Sequence, residues 1–510
     1  MRRLLVGLLV VVGCHKGSQQ GGSSPKEADA LWALAPEGTT IGVVATPRAL
    51  AMAEHGWQDV HTFVEKAPEL APVARQMDDR LRELTGGAAD LKLADYGLTS
   101  EKGGALFVLG PERVVMIVPV ADRDKFLAKA GGTKGSDADH LKHATCKTVK
   151  GVYACASSDD LFATLGKATL RDKLEVRGDI EVVAQGVPGM PMKSVAAVAQ
   201  LERGGIVVRG TLAGMPAQAS AQLGAAIKPE LDRGHTAGFG VVNLAAFLSQ
   251  VPEAPIGAGV TTTALAKSLA GPLLMSVPAG PLAFDVRIPL TDPAPAQTLV
   301  DHCAELLPPV VGATSQGGTC HVPIPVVNVA VDAWLDGKTL RLGMKGAPQG
   351  KAAPLTQTGS ELAEGAWSFA FWGRGSVLAA PALPVPAEAS QDPQFQLGVR
   401  AIMMLNEMGV GVRVDGDKLS FLGVLRTAWS NPDDVIGKLA TMPTADLLAG
   451  KGAAFAQALP GSAPLATDVQ AGYAGLMLPI ALVGMASAVA IPAFVEYQHR
   501  SQQIAAPPPP

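Results

Sequence analysis

The chain of 510 residues carries a net charge of −4 at pH 7, and 48% of its residues are hydrophobic while only 17% are charged. Its length allows roughly two to four domains, and its hydrophobic fraction is large enough to build a sizeable core. Because the charge balance is slightly acidic and no large basic block occurs, the composition argues against nucleic acid as a partner.

The N-terminus has the pattern of an export signal. Arg2 and Arg3 precede an apolar run over residues 4–12, which Gly13 and Cys14 follow. A positive segment followed by a short apolar core is typical of a secretory signal peptide. Nine residues are too few to span a bilayer as a stable anchor. We therefore predict a signal peptide over residues 1–13.

The residues Val11-Val12-Gly13-Cys14 resemble the lipobox of bacterial lipoproteins. The resemblance implies cleavage before Cys14 and diacylation of that cysteine, which would attach the chain to membrane lipid. Several acyl chains are needed because each buried CH₂ contributes only about 0.8 kcal/mol. An ordinary signal peptide without lipidation is the alternative. The Gly, Ser and Gln residues that follow predict a flexible tether over residues 14–34.

The C-terminal region has no charged residue between Val469 and Val495. A helix of about 20 residues spans roughly 30 Å, the thickness of one hydrocarbon core. We predict a transmembrane helix over residues 473–497 and a polar, proline-rich tail over 498–510. A buried, alanine-rich core helix is the alternative.

The same segment resembles the N-terminal hydrophobic helix of type IV pilins and pseudopilins. The matching residues are Val483-Gly484, Ala490-Ile491-Pro492-Ala493-Phe494, Tyr497 and Arg500-Ser501-Gln502. The segment lies at the C-terminus, and it lacks both the glycine–aromatic processing site and the glutamate of that family. The resemblance therefore implies a membrane helix and does not carry over pilin assembly.

The sequence places the protein in the cell envelope, anchored to a membrane and facing the periplasm, but leaves the membrane open. The residue that follows Cys14 is His15 and not an aspartate. By resemblance to enteric lipoproteins, this permits sorting to the outer membrane. A C-terminal transmembrane helix would instead hold the chain in the inner membrane.

Five cysteines occur, and lipidation of Cys14 leaves an even four. Cys146 and Cys155 are nine residues apart, and Cys303 and Cys320 are seventeen apart. In an oxidising periplasm, two local disulfides are the simplest interpretation. The segment 145–155 also predicts a β-hairpin that turns at Lys150-Gly151.

Several segments share one pattern, in which an apolar strand is followed by a helix-like stretch. They begin at Ile41, Phe239 and Trp367. The segments 118–122 and 288–292 also match, and each ends in an aspartate placed as a helix N-cap. We predict an α+β fold of two or three repeated units, each an antiparallel sheet backed by helices, and a C-terminal hydrophobic helix. The units would span residues 35–230, 231–350 and 360–465, unless alanine-rich sequence only imitates a repeat.

Two further hairpins and two linkers complete the predicted organisation. One hairpin covers residues 411–424, with a type I′ turn at Asp415-Gly416. The other runs from Val195 to Leu212 and turns at Gly204-Gly205. Residues 346–354 and 381–393 read as linkers.

A polar cluster before the first hairpin is a candidate metal site. His140 and His143 would share one face of a helix, and with Cys146 they could ligate zinc or copper. A disulfide would consume the thiolate, which favours a solvated loop. We therefore predict no metal and no cofactor.

Aromatic residues cluster in one probable strand, at Trp367, Phe369, Phe371 and Trp372. Alternate residues of a strand face opposite sides, so core packing is the favoured interpretation and contact with a ligand is the alternative.

The sequence contains no GxxxxGK[ST], HExxH or GxSxG motif. The leading hypothesis is a non-catalytic envelope lipoprotein, a scaffold or interaction module at the membrane surface. Its partners would be membrane lipid, through Cys14 and the C-terminal helix, and other envelope proteins. The alternatives are a periplasmic protein that binds a small molecule or metal in a cleft between units, and a hydrolase whose residues match no motif.

Overall fold

The computed structural model describes most of the chain between residues 25 and 446. The described ranges are 25–67, 70–72, 74–76, 78–79, 92–168, 170, 174, 176–187, 192–202, 205–215, 223–229, 231, 236–248, 252–278, 285–307, 312–324, 329–343, 355–374, 405–427, 441–443 and 446. The predicted signal peptide, Cys14 and the predicted transmembrane helix at 473–497 lie outside these ranges.

The strands of the first half of the chain follow an alternating pattern of buried and more exposed residues. Such alternation is expected of strands that bury at least one face. Their bounds are β1 Ile41–Ala45, β2 Gly104–Gly110, β3 Arg113–Val118, β4 Asp139–Leu141, β5 Ala144–Val149, β6 Val152–Ala156, β7 Ile180–Gln185, β8 Ser194–Glu202 and β9 Gly205–Ala213.

The second half adds strands of the same kind and one small separate hairpin. The hairpin consists of β11 Pro255–Gly257 and β12 Val260–Thr261. The other strands are β10 Thr236–Val242, β13 Leu273–Pro278, β14 Asp285–Pro289, β15 Thr314–Gln316, β16 Thr319–Ile324, β17 Val329–Asp336, β18 Thr339–Gly343, β19 Phe369–Arg374, β20 Leu405–Asp415 and β21 Lys418–Thr427.

Nineteen of the strands in the described ranges form one antiparallel sheet. Its spatial order, set by the pairings, is β4-β5-β6-β3-β2-β1-β7-β8-β9-β21-β20-β19-β10-β13-β14-β18-β17-β16-β15. The fold is therefore α+β with a large antiparallel sheet, as the sequence predicts in outline.

Helices lie against both faces of this sheet. The α-helices are α1 Pro25–Trp32, α2 Pro47–Lys66, α3 Arg123–Ala130, α4 Leu244–Leu248, α5 Thr262–Ser268, α6 Ala294–Asp301, α7 Cys303–Leu306 and α8 Gln357–Glu364; 3₁₀ helices span Leu93–Tyr96 and Asp159–Thr164. No helix in the described ranges is both long enough and apolar enough to cross a membrane.

We call the face covered by α1 the front face. There, Trp32 of α1 packs on Phe107 and Val44 in a core that also holds Leu161 of the second 3₁₀ helix. Gly42 lies directly beneath the indole, because a Cβ at Gly42 would approach the Trp32 ring to 2.4 Å. On the opposite, back face, Phe126 and Leu127 of α3 pack around the first cysteine pair.

The second half is layered in the same way. On the front face, Leu362 of α8 packs with Trp372, Phe239 and Val241. On the back face, helices α4 and α6 pack on Met275 and its neighbours. Both halves thus bury the sheet between helices.

Strands β9 and β21 join the two halves. Their ladder runs from Gly205 paired with Arg426 to Ala213 paired with Lys418. Val207 of the first half is buried in the core of the second half. The second predicted boundary, between units 231–350 and 360–465, is not a break in the sheet, because β19 of the latter pairs directly with β10 of the former.

Both disulfides lie near the outer ends of the sheet. Cys146 and Cys155 face each other across β5 and β6, and Cys303 of α7 is bonded to Cys320 of β16. These are the pairs that the sequence predicts. The strands at the two edges, β4 and β15, have only three residues each, which limits the free backbone groups offered to another chain.

Most of the predicted hairpins are confirmed, with corrections of one or two residues. Lys150 and Gly151 both have positive φ, as a type I′ turn requires. The β20–β21 turn is at Gly416-Asp417 and not at Asp415-Gly416, since Asp415 pairs with Lys418. Glycine is then the first turn residue, with φ +61°, which is the pattern of a type II′ turn.

The predicted tether at 14–34 is wrong in its C-terminal part. Residues Pro25–Trp32 form α1, and Ala28, Leu31 and Trp32 are buried. Their spacing places them on one side of a helix. The apolar surface that this side buries offsets the conformational entropy that the segment loses when it becomes ordered. The sequence composition that predicts a tether applies at most up to residue 24.

The β9–β21 ladder should hold the two halves together without a covalent link. We expect a full-length chain cut at a protease site inserted between Met215 and Leu223 to elute as one particle. Elution of two separate fragments on size-exclusion chromatography would contradict this. Val424, which is 4% exposed, pairs with the buried Val207 in this ladder, so the cut V424E variant should dissociate because it buries a charge among apolar side chains.

Candidate functional site

A groove of about 240 Å³ crosses the front face where the two halves meet. Its floor is formed by β8, β9, β21 and β20, which are neighbours in the sheet. Leu174 and Val176 of the first half line one side, and Glu361 and Trp367 of the second half line the other. We call it the central groove. Residues of both halves therefore line this groove.

Strand register determines which side chains line the floor. Arg209 of β9 pairs with Leu422 of β21, and two residues further along Thr211 pairs with Ser420. Ser420 in turn pairs with Arg413 of β20. Because alternate residues share a face, all these side chains lie on the front face. One row of the floor therefore carries two hydroxyls beside a guanidinium.

An ion pair across the two halves fixes the groove wall. Arg209 donates to both carboxylate oxygens of Glu361, at 3.3 Å from Nε and 2.7 Å from Nη2, and donates to Gln200 at 3.0 Å. A bidentate pair of this kind is directional as well as attractive. Its exposure limits its contribution to stability, so its main effect is to position α8 over the sheet.

Trp367 forms the aromatic side of the groove. It lies directly over Gly411, since a Cβ there would approach the indole to 2.7 Å. Its Nε1 donates to the carbonyl of Leu362 at 2.7 Å, and its backbone bonds to Ile227. The ring is therefore held from two sides while one part remains open to the groove.

Three polar groups in the groove are not used by the fold. Within the described ranges, the guanidinium of Arg413 and the hydroxyls of Thr211 and Ser420 have no hydrogen-bonding or ionic partner. All three lie in the same row of the floor. Convergent polar groups within a mostly apolar concavity are the usual composition of a ligand site.

The structure separates the aromatic cluster that the sequence identifies. Trp372 is fully buried and Phe371 is 8% exposed, so both belong to the core, as the favoured interpretation expects. Trp367 precedes the strand, packs against the edge of the core and also lines the groove, so contact with a ligand there stays a prediction. Sequence reasoning missed the floor residues, because only the register of distant strands brings them together.

The histidines of the candidate metal site are not on a helix. His140 lies in β4 and His143 in the turn that follows, and both are exposed. Cys146 is bonded to Cys155. Among the described residues, no group of three or more His, Cys, Asp or Glu side chains is arranged to hold a metal ion.

Four buried carboxylates of the described residues lie outside the groove, at Asp139, Asp179, Glu181 and Glu407. Three of them accept from both an arginine and an aromatic side chain and so hold parts of the fold together. Glu181 accepts from Trp32 Nε1 at 2.7 Å and from Arg177. Glu407 accepts from Trp372 Nε1 at 2.7 Å and from Arg426. Burying a charge is costly unless it is paired and hydrogen-bonded, and these partners meet that condition.

The third of these three carboxylates, Asp139, closes the end of the sheet near the first disulfide. Its oxygens accept from Arg123 at 2.6 Å, from Tyr153 at 2.6 Å and from the backbone of Gly135 at 3.1 Å. The hydrogen bond from Arg123 is the main reason that the pKa of Asp139 falls to about 2. Burial, followed by the contact with Asp139, raises the pKa of Tyr153.

Comparisons with protein-family models, with curated proteins and with solved structures find no match to this chain.

The low pKa of Asp139 predicts a pH-dependent contribution to stability. Since the folded-state pKa of about 2 lies below the ordinary value near 3.9, the contribution is complete above about pH 5 and is lost as pH falls toward 2. We expect D139N to lower the free energy of unfolding by about 3 kcal/mol near neutral pH. The deficit should shrink between pH 4 and pH 2 in denaturant titrations.

The matched control is D124N, because Asp124 is an exposed partner of Lys134 at 2.7 Å. An exposed ion pair contributes at most about 1 kcal/mol, so D124N should leave the unfolding curve nearly unchanged. Equal effects of the two variants, or a D139N deficit that does not vary with pH, would refute the assigned role of Asp139.

Proposed function

We propose that this protein is a non-catalytic, lipid-anchored envelope protein whose central groove is the binding surface of an interaction module. The observation that carries the proposal is the row of unused polar groups, Arg413, Ser420 and Thr211, on the floor of a groove between the two halves. Among the described residues, the side chains of this row make no hydrogen bond or ion pair that would hold the fold together.

The proposal includes two equivalent units, residues 25–215 and 223–427, in place of three. Supporting this, the strands β1, β2, β3, β5, β6, β7, β8 and β9 correspond in chain order to β10, β13, β14, β17, β18, β19, β20 and β21. Their order in the sheet, read outward from the β9–β21 pair, is also the same on both sides. We infer a duplication because the order along the chain and the order in the sheet both agree over eight strands.

A continuous row of paired residues supports the same equivalence. It crosses the sheet through Lys147, Ala154, Ile117, Ala105, Val44, Glu181, Val198, Arg209, Leu422, Gly411, Ala370, Val241, Leu274, Arg287, Arg341, Trp334, Thr319 and Gln316. Arg209 and Leu422 are at its centre, one from each unit. Counted outward from Arg209 on one side and from Leu422 on the other, the first eight residues of the row come from corresponding strands.

Local hydrogen bonds recur at corresponding places. The carbonyl of Gly97 accepts from the amides of Ala121 and Asp122, and that of Ser268 accepts from those of Thr291 and Asp292. Asp122 caps α3 through a 3.0 Å bond from Lys125 N, and Asp292 accepts from Ala294 N at 3.0 Å. These similar turns support the proposed match of segments 118–122 and 288–292. The predicted N-cap is found at Asp122, whereas the N-cap of α6 is Pro293 and not Asp292.

The strand pairing favours an alignment one residue away from the one that sequence likeness suggests. Glycine matching would align Gly42 with Gly240. The row instead aligns Val44 with Val241, and hence Gly42 with Phe239. The helix caps agree, since Thr46 after β1 and Asn243 after β10 both accept from an amide three residues on.

Export and anchoring follow from the N-terminal segment in this proposal. The lipobox resemblance places the lipid on Cys14, and two disulfides suit an oxidising compartment. Only residues 15–24 separate Cys14 from α1, and ten residues reach roughly 35 Å at most. The body would stay close to the membrane, with the segment 473–497 as a second anchor.

Lipidation is checked by metabolic labelling. We expect the wild-type chain to incorporate palmitate and the C14S variant to incorporate none, because Cys14 is the proposed site of acylation. With C14S combined with truncation after Asp468, both anchors are removed and the protein should become soluble. Absence of palmitate label on the wild-type chain, or equal labelling of C14S, would contradict the anchor.

The interaction role is checked by photo-cross-linking in cells. A benzophenone amino acid at Val176, which is 43% exposed at the groove, should give adducts with an envelope component. The matched control is Ile256, which is 40% exposed in the small hairpin and does not line the groove. Adducts of equal yield at both positions, or at neither, would contradict a binding surface in the groove.

A further inference from the structure

We propose that the central groove binds a small organic anion, with its carboxylate or phosphate on Arg413 and its apolar body against Trp367, Leu174 and Val176. The inference rests on the proposed binding role of the groove and adds the chemical class of the ligand.

The charge of the groove points to an anion. Of its charged lining groups, Arg209 and Glu361 neutralise each other. This leaves the guanidinium of Arg413 without an ion pair or a hydrogen bond among the described residues. A guanidinium presents parallel N–H donors that fit two oxygens of a carboxylate or phosphate.

The neighbours of Arg413 are suited to the remaining lone pairs of such a group. Ser420 is the direct cross-strand partner of Arg413, and Thr211 is the next residue in the same row. Adjacent strands lie about 4.8 Å apart, so the two hydroxyls can donate to oxygens bound at Arg413. Charge-assisted bonds of this kind are about twice as strong as neutral ones.

Other arginines show why Arg413 is distinctive. Arg426, on the adjacent strand β21, donates to Glu407 and Thr358. Arg341 donates to Asp285 and Asp336, and Arg123 to Asp139. These guanidiniums hold the fold together, whereas Arg413 faces a concavity.

The size and lining of the groove restrict the rest of the ligand. Its volume of about 240 Å³ is slightly below the range of about 300–1,000 Å³ for drug-sized ligands. The side opposite Arg413 offers Leu174 and Val176, and Trp367 offers the face of an indole. A compact apolar or aromatic body of one ring fits this lining better than an extended polar chain.

The test is calorimetric titration of the full-length protein in detergent with 3-phenylpropionate and phenyl phosphate. We expect at least one of them to bind, and the neutral 3-phenylpropan-1-ol to bind at least tenfold more weakly. R413Q should weaken binding by about tenfold or more, which corresponds to about 1.4 kcal/mol. The S420A variant should weaken it by a smaller factor, and added salt should weaken it as well.

The control variant is R113Q. Arg113 of β3 is 55% exposed and forms an ion pair with Asp160. The variant should leave binding unchanged. Absence of binding to both anions at millimolar concentrations, equal binding of the neutral alcohol, or equal binding by R413Q would each overturn the proposal. If the anions fail while Val176 still cross-links an envelope protein, the interaction role stands and the small-anion ligand is refuted.

Discussion

The pairing of β9 with β21 is the contact on which the architecture depends. Each strand is the last of its half in the sheet, and each would present a long, unpaired edge if the other half were absent. Unpaired backbone groups along an edge invite association with other chains. Joining the two edges satisfies both at once, and among the described strands it leaves the three-residue β4 and β15 at the ends of the sheet.

Under the proposed duplication, this pairing corresponds to a two-fold contact between equivalent units. Gly210 pairs with Phe421 and Val208 pairs with Gly423, which are corresponding pairs when the two proposed units are exchanged. In a symmetric dimer the same patch of both subunits would meet in this way. A groove built at such a centre draws on both halves, and the two halves carry different residues there. One supplies Thr211 and the other Ser420 and Arg413, so the site has a direction that a symmetric dimer would lack.

The two halves also differ on the outer front face. Ile117 and Ala154 of the first half are buried beneath a helical layer that includes Trp32. The corresponding positions in the second half carry Arg287 and Arg341, which share Asp285 as an ionic partner. The backbone pattern is alike in both halves while the chemistry of the surface differs.

Much of the local structure could be predicted from the sequence, and most of the site could not. Alternating hydrophobicity identifies the β20–β21 hairpin, and the spacing of cysteines identifies both disulfides, because these signals are local. The short β4 and the mixed sequence of β17 carry weak strand signals. Thr211 and Arg413 are separated by about 200 residues, and only the register between β9 and β21 places them in one row. A single sequence contains no local signal for that register.

The two disulfides each connect cysteines that are consecutive in the chain after Cys14, nine and seventeen residues apart. During synthesis or export from the N-terminus, Cys155 would therefore meet Cys146 before Cys303 is available. The second pair would then close with no other free thiol in the body. The native bonds are thus the ones that form if each newly emerged cysteine is oxidised with the free cysteine that precedes it. Correct cross-linking would need no isomerase to rearrange mispaired bonds, whatever the speed at which the long sheet assembles.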